Sequence, residues 1–256
     1  MQNRNTLFLG KVLLRFKDLP STNEYAVELL SKSKPIEGTV ISAYHQVAGR
    51  GQIGSSWESA PGENLTVSVL LYPVFLAATR QFQLNKAISL GVRDFIAAFI
   101  PQAPVHIKWP NDLYIGSKKA GGILIQNVLQ KNALQSSVVG IGLNINQATF
   151  SDAVPNATSL FLETGTVFDL SALLDELCYF LEVRYLALKQ GLDEGLNQDY
   201  LRYLYRFGEP AFFQRVSGEV FQGTICGVSD IGRLLIDQNG IIEDFNIKEV
   251  SFSNPQ

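Results

Sequence analysis

The segment Gly49–Trp57 combines residue types that suit the binding of a phosphate or a carboxylate. Three of its first six residues are glycines, which let backbone N–H groups approach an anion closely. Arg50 adds a fixed positive charge with paired donors, and the ring of Trp57 offers a surface on which a base can stack. Glycine content alone fits a mobile surface loop with one incidental arginine equally well. The segment is neither a Walker A loop nor a Rossmann fingerprint, because it lacks the Gly-Lys-Ser/Thr ending and precedes a predicted strand.

A second candidate segment, Lys108–Asp112, is followed closely by Lys118–Leu124, in which a lysine pair precedes a glycine pair. A lysine just before a strand that opens with glycine can reach over a bound phosphate as a point charge. Taken alone, the lysine pair also suits a solvated hairpin tip, and Trp109 alone suits the hydrophobic core.

A third segment, Gly140–Asn146, is a predicted strand that ends in small residues and carries the amide of Asn144. That amide can hydrogen-bond a phosphate or a purine. A turn-stabilising asparagine is the simpler interpretation when the segment is taken alone.

The composition of the 256-residue chain excludes several classes of protein. Hydrophobic residues make up 46% and charged residues 18%, which excludes a disordered chain. The net charge of -3 argues against nucleic acid as a partner. Charges at Arg4, Lys11 and Arg15 interrupt the N-terminal apolar run, and no run approaches the ~18 apolar residues of a membrane span. Cys178 and Cys226 lack metal-binding or disulfide spacing, so we expect a soluble, cytoplasmic protein.

Metal ligation by the protein is also not expected. The sequence has two histidines, His45 and His106, and neither stands in a ligand pattern.

The hydrophobic patterns predict a large α+β region followed by a small β region. Helices are predicted over Asn23–Ser33, Thr79–Ile100, a stretch from Leu170 with Asp169 or Ser171 as its cap, and Glu194–Tyr205. The first of these begins with Ser21 and Glu24 at the spacing of a capping box. Strands are predicted at Val12–Phe16, Gly38–His45, Asn64–Tyr72, Val105–Trp109, Gly122–Gln130 and Ser137–Ile145, with the last two antiparallel and a turn at Pro110–Asp112.

From Gly208 the pattern changes to short alternating strands. They are predicted at Ala211–Val216, Glu219–Cys226, Arg233–Asp237 and Ile241–Phe245, with a hairpin turn at Asn239-Gly240. This change predicts a domain boundary, with residues 1–206 forming a catalytic domain and residues 207–256 a small β-barrel.

Taken together, these motifs are similar to those of the biotin protein ligases, which attach biotin to carrier domains. The motifs occur in the family's order, and the resemblance covers most of Phe16–Phe252. The residues that carry it are Ser21–Asn23, Gln46, Gly49–Trp57, Lys108–Asp112, Lys119–Leu124 and Gly142–Asn144. The resemblance implies a mixed-sheet catalytic domain like that of class II synthetases, with an SH3-like C-terminal barrel.

The resemblance also implies a reaction in two steps. Biotin and ATP, the latter with Mg²⁺ as a co-substrate complex, first give biotinyl-5′-AMP and pyrophosphate. A lysine of a biotin carboxyl carrier domain, that of acetyl-CoA carboxylase in particular, then attacks the adenylate and releases AMP. Cations and backbone donors matter more than a protein nucleophile in such a reaction, so the lack of a catalytic triad is no objection.

The resemblance assigns roles to individual residues. Lys119 and Arg50 are the implied catalytic residues. The implied biotin-binding residues are Ser21, Thr22, Asn23, Gln46, Arg50, Gly51, Gln52, Lys119 and Gly122. The implied contacts to ATP or the adenylate are Gly49, Arg50, Trp57, Asn111, Lys119 and Asn144, and Asp112 is expected near the phosphates.

The sequence departs from the family at two points. Many relatives carry arginine where this chain has Gln52 and Ser55, so the loop loses two charges. About twenty residues precede Ser21, too few for the helix-turn-helix domain of some relatives, so we expect the form without that domain.

Three questions stay open at this point. A lipoate or octanoate ligase of related fold is the alternative enzyme, and a non-catalytic biotin-binding regulator is the alternative from another class. The sequence does not decide the oligomeric state, and a homodimer is one assembly that the family adopts.

Overall fold

The computed structural model describes residues 5–52 and 54–253. Arg4 and Ile53, which figure in the sequence predictions, lie outside the described residues. Within these ranges seven strands form one mixed sheet in the order β1-β2-β3-β7-β6-β5-β4, and only the pair of β1 and β2 is parallel. The strands are β1 Leu13–Leu19, β2 Val40–Gln46, β3 Asn64–Leu71, β4 Val105–Lys108, β5 Asp112–Ile115, β6 Lys118–Gln130 and β7 Ala133–Asn144.

Helices cover both faces of this sheet, which is why every residue of the central strand β3 is buried. The helices are α1 Thr22–Lys32, α2 Gln81–Phe99, α3 Leu160–Thr164, α4 Leu170–Lys189 and α5 Asp193–Arg202. Alternate strand residues point to opposite faces. Leu70 and Ile41 pack with Ala26 of α1, whereas Val69 and Val40 belong to the larger core that contains α2 and α4.

The two long helices approach each other closely at Gly91. A Cβ atom at this position would lie 3.0 Å from Cα of Leu181 in α4, so a larger residue would push the helices apart. The mixed α+β architecture predicted from the sequence is confirmed.

Some element predictions were wrong in detail. The predicted turn at Pro110–Asp112 ends early, because Asp112 already begins β5, which the sequence did not predict. Ser21 stands at the N-cap position of α1, but its side chain makes no capping hydrogen bond within the described residues, so the capping box is not formed. Asp169 does cap α4, because its Oδ1 accepts a hydrogen bond from Ser171 N at 2.8 Å. The short helix α3 was also not predicted.

The C-terminal part of the described chain forms a five-stranded antiparallel sheet in the order β11-β10-β9-β8-β12. Its strands are β8 Pro210–Arg215, β9 Val220–Val228, β10 Leu234–Gln238, β11 Ile241–Phe245 and β12 Val250–Ser253. The predicted hairpin turn is confirmed, since Asn239 and Gly240 have φ angles of 55° and 91°. The sequence missed β12. Closure into an SH3-like barrel and the boundary after residue 206 stay predictions.

One hydrogen bond holds this sheet against the end of β4. Trp109 Nε1 donates to the carbonyl oxygen of Gly232 at 2.9 Å, and Gly232 has a φ of +92°. A Cβ at Gly232 would lie 2.4 Å from the ring of Phe82, so the turn contacts α2 as closely as a glycine allows. No helix within the described ranges is both long and apolar enough to cross a bilayer.

Candidate functional site

A cavity of about 340 Å³ lies between the start of α1, the Gly49–Trp57 segment, the strands β4 to β7 and the C-terminal sheet. Of the site residues predicted from the sequence, all except Gly49 and Asn144 belong to its described lining. Those that line it are Ser21, Thr22, Asn23, Gln46, Arg50, Gly51, Gln52, Trp57, Asn111, Asp112, Lys119 and Gly122. Sequence segments that are far apart along the chain therefore meet at one place.

One end of the cavity carries a network of neutral polar side chains. Gln46 Oε1 accepts hydrogen bonds from Thr22 N at 2.7 Å and from Thr22 Oγ1 at 3.1 Å. Ser68 Oγ lies 2.8 Å from Thr22 Oγ1 and 2.5 Å from Asn23 Oδ1. A fully buried hydroxyl thus fixes the orientations of two cavity residues. The sequence reasoning missed Ser68, which has no local pattern in common with Thr22 and Asn23.

The space for Asn23 comes from a glycine in β7. A Cβ at Gly140 would lie 2.3 Å from Asn23 Oδ1, and Asn23 Nδ2 donates to Leu124 O at 3.2 Å. Asn23 is 4% exposed, so its amide is held in one orientation by its neighbours. This neutral end, hereafter the polar end, suits a small ligand group with both donors and acceptors.

The glycine-rich segment folds back on itself beside the cavity. Gly51 N donates to Ser55 O at 2.9 Å, and Trp57 N donates to Gly49 O at 2.9 Å. A Cβ at Gly49 would lie 2.3 Å from Trp57 O, which explains the glycine there even though Gly49 does not line the cavity. Arg50 forms an ion pair with Glu24 of α1.

The ring of Trp57 forms part of the cavity floor. It lies against β7, since a Cβ at Gly142 would be 2.4 Å from Trp57 Cε2. Its Nε1 atom is buried and has no hydrogen-bond partner among the described residues. A half-buried ring in a cavity lining with an unsatisfied N–H suits a flat, polar ligand such as a nucleobase.

The other end of the cavity is charged. Lys119 Nζ lies 2.7 Å from Asp112 Oδ1, and both residues line the cavity. A bulge in β6 at Ala120, opposite the step from Leu113 to Tyr114, sets this pairing, because it places Lys119 opposite Tyr114 and Asp112 opposite Gly122. The backbone of Lys119 is itself held by hydrogen bonds to Asn156 O at 2.7 Å and from Thr158 N at 2.8 Å.

Lys108 is a second lysine of this charged end, and the sequence did not assign it a role. Its Nζ donates to Tyr114 Oη at 2.9 Å and lies 5.3 Å from the ring centroid of Phe252. Burial lowers the pKa of Lys108, while Asp112 and Tyr205 oppose that shift. Burial also raises the pKa of Tyr114 to about 12, so this phenol keeps its proton at neutral pH.

The two predicted asparagines differ in position. Asn111 lines the cavity, and its Nδ2 donates to Ile123 O at 2.7 Å. Asn144 is 5% exposed and donates to Thr158 O at 2.9 Å, outside the described lining of the cavity. In this structure Asn144 anchors the connection after β7. A nucleotide contact by Asn144 stays a prediction.

The C-terminal sheet supplies a wall of the cavity that the sequence reasoning missed. The wall consists of Phe213, Leu234, Ile247, Lys248, Val250, Ser251 and Phe252. Most of these residues are apolar and follow an ordinary strand alternation, so no local signal marks them as part of a site.

Within the described ranges, no group of three or more His, Cys, Asp or Glu side chains is arranged to hold a metal ion.

Known proteins are similar to this chain in both sequence and architecture. The model of the biotin/lipoate A/B protein ligase family matches residues 15–144. The bifunctional ligase/repressor BirA of Bacillus subtilis is 32% identical over 243 residues, covering 91% of this chain and 72% of the relative. A biotin–[acetyl-CoA-carboxylase] ligase of Mycobacterium tuberculosis is 30% identical, covering 86% of this chain and 81% of the relative.

A solved structure agrees over nearly the whole chain. The biotin protein ligase of Aquifex aeolicus in complex with biotin and ATP superposes with a TM-score of 0.78 at 26% identity, covering 96% of this chain and 100% of that one. This chain therefore belongs to the biotin/lipoate A/B protein ligase family, and within it to the biotin protein ligases.

Proposed function

We propose that this chain uses ATP to convert biotin to biotinyl-5′-AMP. It then transfers the biotinyl group to a lysine of a biotin carboxyl carrier domain. The observation that carries the proposal is the convergence of three side chains on Gly122. A Cβ there would lie 3.6 Å from Trp57 Cζ3, 3.6 Å from Asp112 Oδ1 and 3.8 Å from Lys119 Cε. The bare backbone of Gly122 leaves room for a ligand between an aromatic ring and an ammonium group.

The polar end of the cavity suits the ureido ring of biotin. That ring offers two N–H donors and one carbonyl acceptor, and its neighbours would be the amides of Asn23 and Gln46 and the hydroxyls of Ser21 and Thr22. The Ser68 hydroxyl lies within hydrogen-bonding distance of both Thr22 Oγ1 and Asn23 Oδ1, so it holds these side chains before any ligand arrives. Such preorganisation reduces the entropic cost of binding. The valeryl chain would then point the carboxylate toward Lys119.

In the first step an oxygen of the biotin carboxylate attacks the α-phosphorus of ATP. A carboxyl C–O–P linkage forms, the bond from the α-phosphorus to the bridging oxygen breaks, and pyrophosphate leaves. Both reactants are anions, so the barrier contains a large repulsive component. Lys119 lowers this repulsion because its ammonium group exchanges Asp112 for the carboxylate and the phosphate. Arg50, Lys108 and backbone N–H groups of the glycine-rich segment add positive potential.

In the second step the carrier's lysine amine attacks the acyl carbon. An amide bond forms, the bond from the acyl carbon to the phosphate oxygen breaks, and AMP leaves. The attacking amine is neutral, and the proton that it loses as the amide forms passes to water. The chain's role is to hold the mixed anhydride in place and to exclude water from it.

Mg²⁺ would enter as part of the ATP complex and would supply charge neutralisation at the phosphates. Phosphate oxygens and water would provide most of its ligands, and Asp112 is the carboxylate of the described cavity lining that could add to them. A cytoplasmic location is part of the proposal, because a reducing compartment suits Cys178 and Cys226, both free thiols in the described part of the chain.

The experiment that tests the proposal uses the chain with ATP, Mg²⁺, biotin and a separately purified carrier domain. Intact-mass measurement should show the mass gain of one biotinyl group on the carrier, and none when ATP is omitted. Acid-dependent ATP–pyrophosphate exchange with biotin, lipoate and octanoate in parallel identifies the substrate. Exchange driven by lipoate or octanoate, but not by biotin, would favour the alternative enzyme. Biotin binding without exchange or transfer would favour a regulator.

A further inference from the structure

Lys248 is a cavity residue that no motif in the sequence marks. It lies in the turn between β11 and β12, it is exposed, and it belongs to the cavity lining. Asn246 and Glu249 hold this turn, because Asn246 N donates to Glu249 Oε2 at 2.6 Å and Glu249 N donates to Asn246 O at 3.1 Å. Lys248 itself has a φ of 71° within this turn. Its side chain therefore starts from a defined backbone position.

The ammonium group of Lys248 reaches across to the glycine-rich segment. Its Nζ lies 3.5 Å from the position that a Cβ atom would take at Gly54. Gln52 and Ser55, which flank this part of the segment, also line the cavity and are uncharged. Arg50 is the charged residue of the Gly49–Trp57 sequence, and Glu24 is its ion-pair partner. A lysine from the C-terminal sheet thus supplies positive charge beside a segment that has little of its own.

Lys248 lines the same cavity as the residues of the charged end. It shares the C-terminal wall with Phe252, whose ring centroid is 5.3 Å from Lys108 Nζ. The charged members of the cavity lining are Arg50, Lys108, Asp112, Lys119 and Lys248. Cations exceed carboxylates in this set, which suits a polyphosphate better than a single carboxylate.

We propose that Lys248 is a nucleotide-binding residue whose ammonium group contacts the β- and γ-phosphates of ATP. The proposal rests on the proposed function and adds a residue to it. Lys119 would act where the carboxylate meets the α-phosphate, and Lys248 would bind the part of ATP that leaves as pyrophosphate. Its contact would therefore matter for adenylate formation and not for the transfer step that follows, because pyrophosphate has then gone.

The test compares Lys248→Met and Lys248→Arg with the control Lys131→Met. Lys131 is also an exposed lysine in a hairpin turn with positive φ, at 55°, and it lies outside the described lining of the cavity. In biotin-dependent ATP–pyrophosphate exchange, Lys248→Met should raise the KM for ATP about tenfold or more, the effect of losing one charge-assisted contact. The KM for biotin should change less than about twofold, whereas Lys248→Arg and Lys131→Met should resemble the unmodified chain.

A second measurement separates phosphate binding from a structural role. The rate of transfer from preformed biotinyl-5′-AMP to the carrier, and the rate of adenylate release, should be unchanged in Lys248→Met. Faster adenylate release with an unchanged KM for ATP would show that Lys248 only supports the glycine-rich segment, and would overturn the proposal. Equal KM values for ATP in Lys248→Met and Lys131→Met would also overturn it. If the unmodified chain shows no biotin-dependent exchange, the proposed function itself fails, which is a distinct result.

Discussion

Lys119 Nζ and Asp112 Oδ1 lie 2.7 Å apart across the β5–β6 hairpin, so the lysine assigned to the reacting groups has a carboxylate partner when no ligand is bound. Both side chains are partly exposed, so the pair contributes little to stability. The ion pair instead orients Lys119, because Asp112 holds the ammonium group beside Gly122. A bound carboxylate or phosphate competes with Asp112 for the same cation.

The lysine pair of β6 allows a matched comparison. Lys119→Ala should slow adenylate formation by more than about tenfold, because a charge contact in a partly dry site is lost. Lys118→Ala should change the rate little, since Lys118 is exposed and lies outside the described lining of the cavity. Single-turnover formation of biotinyl-5′-AMP measures both rates. Equal losses in the two variants would show that Lys119 has no special role.

The close contact of Trp57 with β7 predicts the effect of a single methyl group. In Gly142→Ala the new Cβ would lie 2.4 Å from Trp57 Cε2, so the ring must leave its place in the floor. We expect the KM for ATP to rise about tenfold, a loss of the order seen for base–aromatic stacking. The control is Gly195→Ala in α5, where a Cβ has no described heavy atom within 4 Å beyond the helix's own backbone. The hypothesis fails if the two variants have the same KM for ATP.

The glycine-rich segment has one charged residue, Arg50, and this predicts a weak hold on the adenylate. Gln52 lines the cavity and offers only neutral hydrogen bonds, which are weaker than charge-assisted ones. Ordering the segment costs on the order of 1 kcal/mol per residue, so a further charge contact should slow ligand release. Gln52→Arg should therefore release preformed biotinyl-5′-AMP more slowly than the unmodified chain in a stopped-flow chase. Gln102→Arg, in an exposed turn outside the described lining, is the control. An equal or faster release from Gln52→Arg would show that charge at position 52 does not limit retention.

The hydrogen bonds of Glu182 in α4 predict that replacing this residue lowers stability without affecting function. Its carboxylate accepts hydrogen bonds from the backbone N–H groups of residues 7, 8 and 9 at 2.6, 2.8 and 2.9 Å, and the residue is 4% exposed. Glu182→Gln keeps one acceptor oxygen and replaces the other with an NH₂ group, which then faces at least one of these N–H donors. The free energy of unfolding in urea should fall by about 1–3 kcal/mol, the cost of buried unsatisfied groups. Glu209→Gln, at an exposed position, should change it by less than about 0.5 kcal/mol. No difference between the two would contradict the anchoring role of Glu182.

The long helices and strands were predictable because their hydrophobic periodicity is strong. The helix from Leu170 and its Asp169 cap illustrate this, as does the hairpin at Asn239-Gly240. The strand β5 was not predictable, because it has four residues and follows a Pro-Asn pair that signals a turn. Ser21 was misjudged as a capping side chain, because local spacing cannot tell a cap from a residue that lines a cavity.

Site residues were predictable where they belong to a local sequence motif. The prediction failed where residues far apart in the sequence meet only in the folded chain. Gly49–Trp57 and Lys119 carry their residue types in one short stretch each. The bulge that brings Lys119 to Asp112 depends on strand register, which the sequence pattern does not specify at single-residue precision. Phe252 and Lys248 line the same cavity from more than one hundred residues away, and only the packing of the C-terminal sheet brings them there.

The hydrogen bond from Trp109 to Gly232 has a consequence for the order in which the protein becomes competent. A ribosome releases the chain from its N-terminus, so the cavity floor emerges long before the wall that contains Phe252. At that stage a nascent chain has the residues of the large sheet but not those of the wall. It cannot enclose the nucleotide until the final strand is free. On the proposed function, an adenylate that is shielded from water therefore requires the finished C-terminal sheet, because that sheet supplies one wall of the cavity.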